Sequence, residues 1–176
     1  MKNIKIGING FGRIGRTLFR ILHEREGVEV VAINDVADVR SLAHLLKYDS
    51  VHGIFNADVK VSDKAILVDG RSVTLTHESA LENLSWTNCD VVIESTGKFL
   101  TKSDLEKHIK AGAKKVILAA SPKGDDVKMV VLGVNDHMID NRDVILSNAS
   151  CTTNCAAPMV QLIDENFGVE QAYITT

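Results

Sequence analysis

Ile4-Lys5-Ile6-Gly7-Ile8-Asn9-Gly10-Phe11-Gly12-Arg13-Ile14-Gly15 is the stretch whose reading decides the fold. Ile4-Lys5-Ile6-Gly7-Ile8 reads as a strand running into a glycine loop, and Leu18, Phe19, Ile21 and Leu22 place an apolar side on the helix that follows. Gly10-x-Gly12-x-x-Gly15 between a strand and a helix has the context that a phosphate cradle needs. Gly10 permits the tight turn, Gly12 leaves the backbone bare for a pyrophosphate, and Gly15 lets the helix lie close on the sheet. The helix N-terminus then offers free N–H groups and a partial positive charge. The bland alternative is a glycine turn with no ligand.

Outward from this loop the chain alternates strand and helix. Gly27 ends the first helix and Val28-Glu29-Val30-Val31-Ala32-Ile33 is the next strand. Such apolar, β-branched runs suit strands covered on both faces, as in a parallel sheet. A second helix is expected from near Asp38 through Leu42, Leu45 and Leu46. Residues 58–76 break the rhythm: Val59-Lys60-Val61, Ile66-Leu67-Val68 and Ser72-Val73-Thr74-Leu75 are short strands, the last two joined by the hairpin dipeptide Asp69-Gly70. Further strands are expected at Val91-Val92-Ile93, Val116-Ile117-Leu118-Ala119, Met129-Val130-Val131-Leu132 and Val144-Ile145-Leu146. Ser103 and Glu106 have the spacing of a capping box for a helix ending near Gly112. The last helix is expected from about Cys151 to Asn166, stopped by Gly168, and Val169 to Thr176 reads as a strand in which the chain stops, as a truncated chain would. The class is α/β: a doubly wound, mostly parallel sheet with a small antiparallel insertion at about 58–76.

Composition narrows the function. The 176 residues carry 20 Lys+Arg against 23 Asp+Glu, a net charge of −3 that argues against a nucleic-acid or anionic-membrane surface. No apolar run approaches the roughly 20 residues of a membrane span. The start, Met1-Lys2-Asn3-Ile4-Lys5-Ile6, is too polar for a signal peptide. Three cysteines, an odd number, point to reduced thiols in a cytoplasmic protein rather than a disulfide framework.

Two positions carry candidate chemistry. Asp35 follows the second strand, 20 residues beyond Gly15, where a carboxylate accepts hydrogen bonds from both hydroxyls of an adenosine ribose and repels a 2′-phosphate. That favours NAD over NADP; the alternative is a turn or capping Asp. Asn148-Ala149-Ser150-Cys151-Thr152-Thr153-Asn154-Cys155 joins a strand to a helix and puts Cys151 in its first turn. A helix terminus supplies roughly 0.3–1 kcal/mol towards a thiolate, against about 2 kcal/mol needed to half-ionise an ordinary thiol at pH 7. A base, usually histidine, would supply the rest. None of the six histidines is brought to Cys151 by anything in the sequence. Cys155, one turn on, is expected in the core, and no His or Cys pair completes a zinc site, so no metal is expected.

These segments resemble phosphorylating glyceraldehyde-3-phosphate dehydrogenases. The resemblance rests on residues 8–16, Ala32-Ile33-Asn34-Asp35, Lys47-Tyr48-Asp49-Ser50-Val51-His52-Gly53, Glu94-Ser95-Thr96-Gly97, Gly133-Val134-Asn135 and residues 147–155. It covers the whole chain but about half of a family member. It implies a Rossmann-type NAD domain over residues 1–150, with residues 151–176 as the active-site helix and the start of a catalytic domain. Cofactor contacts are implied for Asn9, Gly10, Phe11, Gly12, Arg13, Ile14, Gly15, Asn34, Asp35, His77, Thr96, Gly97 and Ser121. Cys151 would be the nucleophile, with Ser150 and Thr152 beside the substrate. The substrates implied are glyceraldehyde 3-phosphate and inorganic phosphate, in glycolysis, and the assembly implied is a cytoplasmic homotetramer. The family's catalytic histidine is not in this sequence, so the chain is expected to bind NAD without turning over. Competing readings are a fragment of erythrose-4-phosphate dehydrogenase and a non-catalytic NAD-binding module. Met159, Val160, Leu162, Ile163, Val169 and Ile174 would expose apolar surface.

Overall fold

The computed structural model describes residues 3–176; Met1 and Lys2, the first residues of the polar start, lie outside the described part. Strands are β1 (Ile4–Asn9), β2 (Val28–Asn34), β3 (Tyr48–Asp49), β4 (Gly53–Ile54), β5 (Val59–Ser62), β6 (Ala65–Val68), β7 (Arg71–Thr76), β8 (Val91–Glu94), β9 (Lys115–Leu118), β10 (Lys128–Met129) and β11 (Ile145–Ser147). Helices are α1 (Arg13–His23), α2 (Val39–Lys47), α3 (Lys102–Lys110) and α4 (Cys151–Phe167).

One sheet runs β10-β11-β9-β8-β1-β2-β7-β6-β5. All pairings from β10 across to β7 are parallel. The order β7-β2-β1-β8-β9-β11 is the doubly wound order 3-2-1-4-5-6 of dinucleotide-binding sheets. The chain winds from β1 outward to β2 and β7, then crosses to β8 on the other side of β1, so the winding reverses at β1. The antiparallel insertion is present, and it extends the main sheet: β7 pairs parallel with β2, while β6 and β5 add antiparallel strands outside it. Asp69 (φ 50°) and Gly70 (φ 77°) both take positive φ between the paired residues Val68 and Arg71, the geometry of a two-residue hairpin loop. The separate two-stranded sheet of β3 and β4 has no counterpart in the sequence reading.

The core has two parts. One gathers Ile6, Ile8, Phe11, Phe19, Ile33, Leu42 and Leu46 with the hairpin's Ile66, Val68, Val73 and Leu75. The other gathers Trp86, Cys89, Val92, Leu105, Val116 and Leu118. Burial pushes the Cys89 thiol up to about 11.

Several expectations shift. Ile21 and Leu45 are exposed, because the buried stripe of α1 runs through Gly15 and Phe19 and that of α2 through Leu42, Ala43 and Leu46. The cap of α3 is Thr101, not Ser103: its hydroxyl accepts the Asp104 N–H at 3.2 Å and donates to Asp104 Oδ2 at 2.6 Å. The strand expected over 129–132 is cut to Lys128–Met129. There Asn135 takes the Val131 N–H at 2.7 Å and donates to the Met129 carbonyl at 3.0 Å, replacing ladder bonds. Residues 169–176 form no strand among the described residues, since no neighbouring strand pairs with them. Cys155 is exposed rather than in the core, because none of the 17 residues of α4 is buried. Met159, Leu162, Ile163 and Ile174 are exposed, as expected, whereas Val160 and Val169 are half-buried.

Candidate functional site

The carboxyl ends of the parallel strands lie in one row. Thr76 pairs with Asn34, Asn34 and Glu94 both pair with Asn9, Glu94 pairs with Leu118, and Leu118 with Ser147. Ligands of such sheets sit outside this edge, where the winding reverses. A cleft of about 170 Å³ opens there, lined by residues that follow β1, β2, β7 and β8.

The glycine loop forms one wall. Gly10 has φ +88°, and a Cβ on it would fall 2.6 Å from the Thr96 backbone nitrogen, so only glycine fits. A Cβ on Gly15 would strike the Gly10 carbonyl oxygen, so helix and loop are in direct backbone contact. Gly12 differs: a Cβ there meets no protein atom within 4 Å. It is the N-cap of α1, and no side chain caps that helix. The other helices are capped by Asp38, Thr101 and Ser150. The first-turn N–H groups of α1 therefore face open space above a residue with no side chain, a fit for the phosphates of a dinucleotide.

Asp35 lies beside this wall. Its Oδ2 accepts the Phe11 N–H at 2.6 Å and its Oδ1 accepts the Ala37 N–H at 2.9 Å. The turn role and the loop role thus coexist, and the carboxylate keeps lone pairs for a ribose. Arg16 donates to the Phe11 carbonyl at 2.8 Å, so the Phe11 peptide is held from both sides. Desolvation lowers the Arg16 pKa, opposed by Asp49 and Asp35 nearby. The Phe11 ring points away from the cleft, edge-on to Phe19 at 5.7 Å.

The opposite wall follows β8. The Ser95 hydroxyl donates to the Gly10 carbonyl at 2.7 Å, and the Ser95 N–H donates to the Asn9 carbonyl at 2.8 Å. Thr96 gives its N–H and its hydroxyl to Glu94 Oε1, at 2.8 and 2.5 Å. Asn9 donates to Glu94 Oε2 at 2.5 Å and accepts from Asn34 at 2.8 Å.

Of the expected cofactor residues, Asn9, Gly10, Gly12, Asn34, Asp35 and Thr96 line the cleft. Arg13, Ile14 and Gly97 are exposed outside its lining, and Phe11 and Gly15 are buried behind it. His77 also stands outside, with Nδ1 2.9 Å from the Asp35 carbonyl. Ser121 is half-buried in the loop after β9. Ser95, Val36, Glu78, Ser79, Lys98 and Phe99 line the cleft and were not among the expected cofactor residues. The signal for Ser95 was its place directly after a strand end that faces the glycine loop.

Cys151 shares the edge. After β11, Asn148 donates its N–H to the Leu118 carbonyl at 2.9 Å and Ala149 turns with φ 57°, leading into the Ser150 cap. Ser150 accepts the Thr153 N–H at 2.9 Å, which leaves Cys151 exposed at the first position of α4, with Thr152 half-buried beside it. Three strand spacings separate β1 from β11, so the thiol stands roughly 14 Å along the row from the glycine loop. Among the described residues no histidine hydrogen-bonds to Cys151. His23 meets Asp69, His77 meets the Asp35 carbonyl, and His108 is buried against Trp86 and Glu94.

Residues 4–102 match the family model described as glyceraldehyde 3-phosphate dehydrogenase, NAD binding domain. The chain belongs to the glyceraldehyde 3-phosphate dehydrogenase family. Residues 150–176 match that family's C-terminal domain. The chain is 50% identical over 175 residues to glyceraldehyde-3-phosphate dehydrogenase of Buchnera aphidicola subsp. Schizaphis graminum, covering 98% of this chain and 52% of the relative. It is 51% identical over 180 residues to that of Borreliella burgdorferi, covering 98% and 53%. For Geobacillus stearothermophilus the figures are 47% over 176 residues, 98% and 52%. The chain spans about half the length of these dehydrogenases. The cofactor of its glyceraldehyde 3-phosphate dehydrogenase domain is NAD. No helix among the described residues is long and apolar enough to cross a membrane.

Proposed function

We propose that this chain is the cofactor-holding half, with the nucleophile, of a phosphorylating dehydrogenase that converts glyceraldehyde 3-phosphate to 1,3-bisphosphoglycerate in the cytoplasm. Residues 1–150 hold NAD, and residues 151–176 begin the catalytic domain. The observation that carries the reading is the uncapped helix α1 above bare Gly12, beside Asp35 and on the same sheet edge as exposed Cys151. The α1 N–H groups at Arg13, Ile14 and Gly15 hold the pyrophosphate, and Asp35 takes the adenosine ribose with His77 at its flank. Thr96 lines the far wall with Gly97 exposed just beyond it, and Ser121 lies along the edge towards Cys151.

Cys151 adds as a thiolate to the aldehyde carbon, giving a thiohemiacetal whose oxyanion accepts the Cys151 backbone N–H. Bound NAD would supply the hydride acceptor that turns this carbon into a thioester. The resulting thioester is cleaved by inorganic phosphate, which forms the acyl phosphate and returns the thiolate. Ser150 and Thr152 border the space where aldehyde and phosphate meet. Because no described histidine touches Cys151, the proton acceptor comes from elsewhere in the whole enzyme. The whole enzyme works as a homotetramer.

The test combines calorimetric titration with NAD and an aldehyde- and phosphate-dependent assay at 340 nm on this chain. The expected result is saturable NAD binding with no sustained NADH production. Absence of binding by folded protein would overturn the reading, and steady turnover would show that the chain supplies its own base.

A further inference from the structure

His108 and Glu94 are both fully buried, with 0% exposure, and neither has a role in the chemistry above. His108 lies on the inner face of α3, one turn from Leu105, and does not line the cleft. Its Nδ1 is 3.0 Å from Trp86 Nε1, and its Nε2 is 2.9 Å from Glu94 Oε2. An indole N–H can only donate, so Nδ1 must accept. The proton of the neutral ring is then on Nε2, which donates to Glu94. Glu94 accepts from four groups in all: the His108 ring, the Asn9 amide, and the N–H and hydroxyl of Thr96. These four contacts occupy both oxygens and fix the orientation of the Glu94 carboxyl group.

Two of those donors belong to the cleft. Asn9 ends the strand that feeds the glycine loop. Thr96 packs so closely on Gly10 that a Cβ there would strike its backbone. Moving the carboxylate therefore moves both walls of the cleft. Asn9 passes the constraint on to Asn34, which also donates to the Glu78 carbonyl at 2.9 Å and accepts its N–H at 2.8 Å.

We propose that His108 is a positioning residue for cofactor binding: its bond to Glu94 fixes the Glu94 carboxylate, which sets the separation of the glycine loop from the Thr96 wall. This deepens the NAD reading above and rests on it. The relay also ends on Trp86, the one tryptophan in the sequence, so its indole N–H is a built-in reporter of the cleft.

The test compares three variants of this chain by calorimetric NAD titration and thermal unfolding and, in those that keep Trp86, by the ¹H–¹⁵N resonance of the single indole. His108→Leu removes both ring bonds. His108→Gln keeps one acceptor for Trp86 and one donor for Glu94. Trp86→Phe breaks the chain above His108 and leaves the His108–Glu94 bond. NAD affinity should fall about tenfold in His108→Leu and stay within about twofold of the unsubstituted chain in the other two. A purely structural role would instead lower the unfolding temperature of His108→Leu and Trp86→Phe alike, with affinities unchanged in the folded fraction; that result overturns the proposal. If His108→Leu does not fold, the unsubstituted chain decides: saturating NAD should shift the Trp86 indole resonance, and an unmoved resonance overturns the proposal. An unsubstituted chain that is folded and binds no NAD would overturn the NAD reading and the proposal with it. Normal NAD binding with an unchanged His108→Leu affinity would overturn the proposal alone.

Discussion

Gly12→Ala should separate cofactor binding from folding. Gly12 has φ −71° and ψ −158°, which alanine adopts freely, and its Cβ would meet nothing within 4 Å. The cost to the fold is that of a poorer N-cap, up to about 1 kcal/mol, or a few degrees in unfolding temperature. The cost to binding is larger. A phosphate oxygen accepts a backbone N–H at about 2.9 Å, and a methyl group in that space pushes it away. One lost charge-assisted hydrogen bond, about 1.5–3 kcal/mol, weakens NAD binding roughly ten- to two-hundred-fold. Gly10→Ala is the opposite control. At φ +88° with a contact of 2.6 Å to Thr96, it should damage the fold itself. Paired calorimetric titrations and thermal melts read both quantities. A Gly12→Ala chain that melts like the parent and binds NAD as tightly would refute the placement of the phosphates over this helix.

Asp35→Asn keeps an acceptor for the Phe11 N–H but removes the charge. The ratio of NAD to NADP affinity should drop by about tenfold; an unchanged ratio, by titration with each, would reduce Asp35 to a loop-shaping residue. Iodoacetamide should modify Cys151 and Cys155 well before Cys89, which is 3% exposed with its thiol pushed up to about 11. Cys151 should lead Cys155 because it sits in the first turn of α4, and mass-spectrometric mapping with equal rates at 151 and 155 would remove that argument. Burial of Cys89 also has a pH signature. A thiol raised in the folded state lends full stability below its ordinary value of 9.0, and that contribution is lost as pH rises towards about 11. Chemical denaturation between pH 8 and 11 should show this decline, and Cys89→Ala should flatten it.

Local chemistry made the first strand, the glycine loop and the Asp69-Gly70 hairpin readable, since each depends on residues adjacent in sequence. Asp35 was readable because the length of one βαβ unit fixes its place. Non-local pairings were less readable. The hairpin's attachment beside β2 depends on the Asn34–Thr76 pairing across 42 residues. The cap of α3 slipped because Thr101 and Ser103 offer the same hydroxyl two residues apart, and only the Asp104 contact chooses between them. Cys155 was misjudged because helical spacing says which way a side chain points and not whether anything covers it. The Glu94–His108–Trp86 chain was invisible, since a histidine 14 residues from a carboxylate and 22 from a tryptophan leaves no periodic mark.

Calorimetric titration of the 176-residue chain with NAD and, separately, NADP tests the central claim most directly. One saturable NAD site with NADP clearly weaker is the expected result. Folded protein that binds neither, or binds both equally, would contradict the assignment of the open N-terminus of α1 and Asp35 to the cofactor.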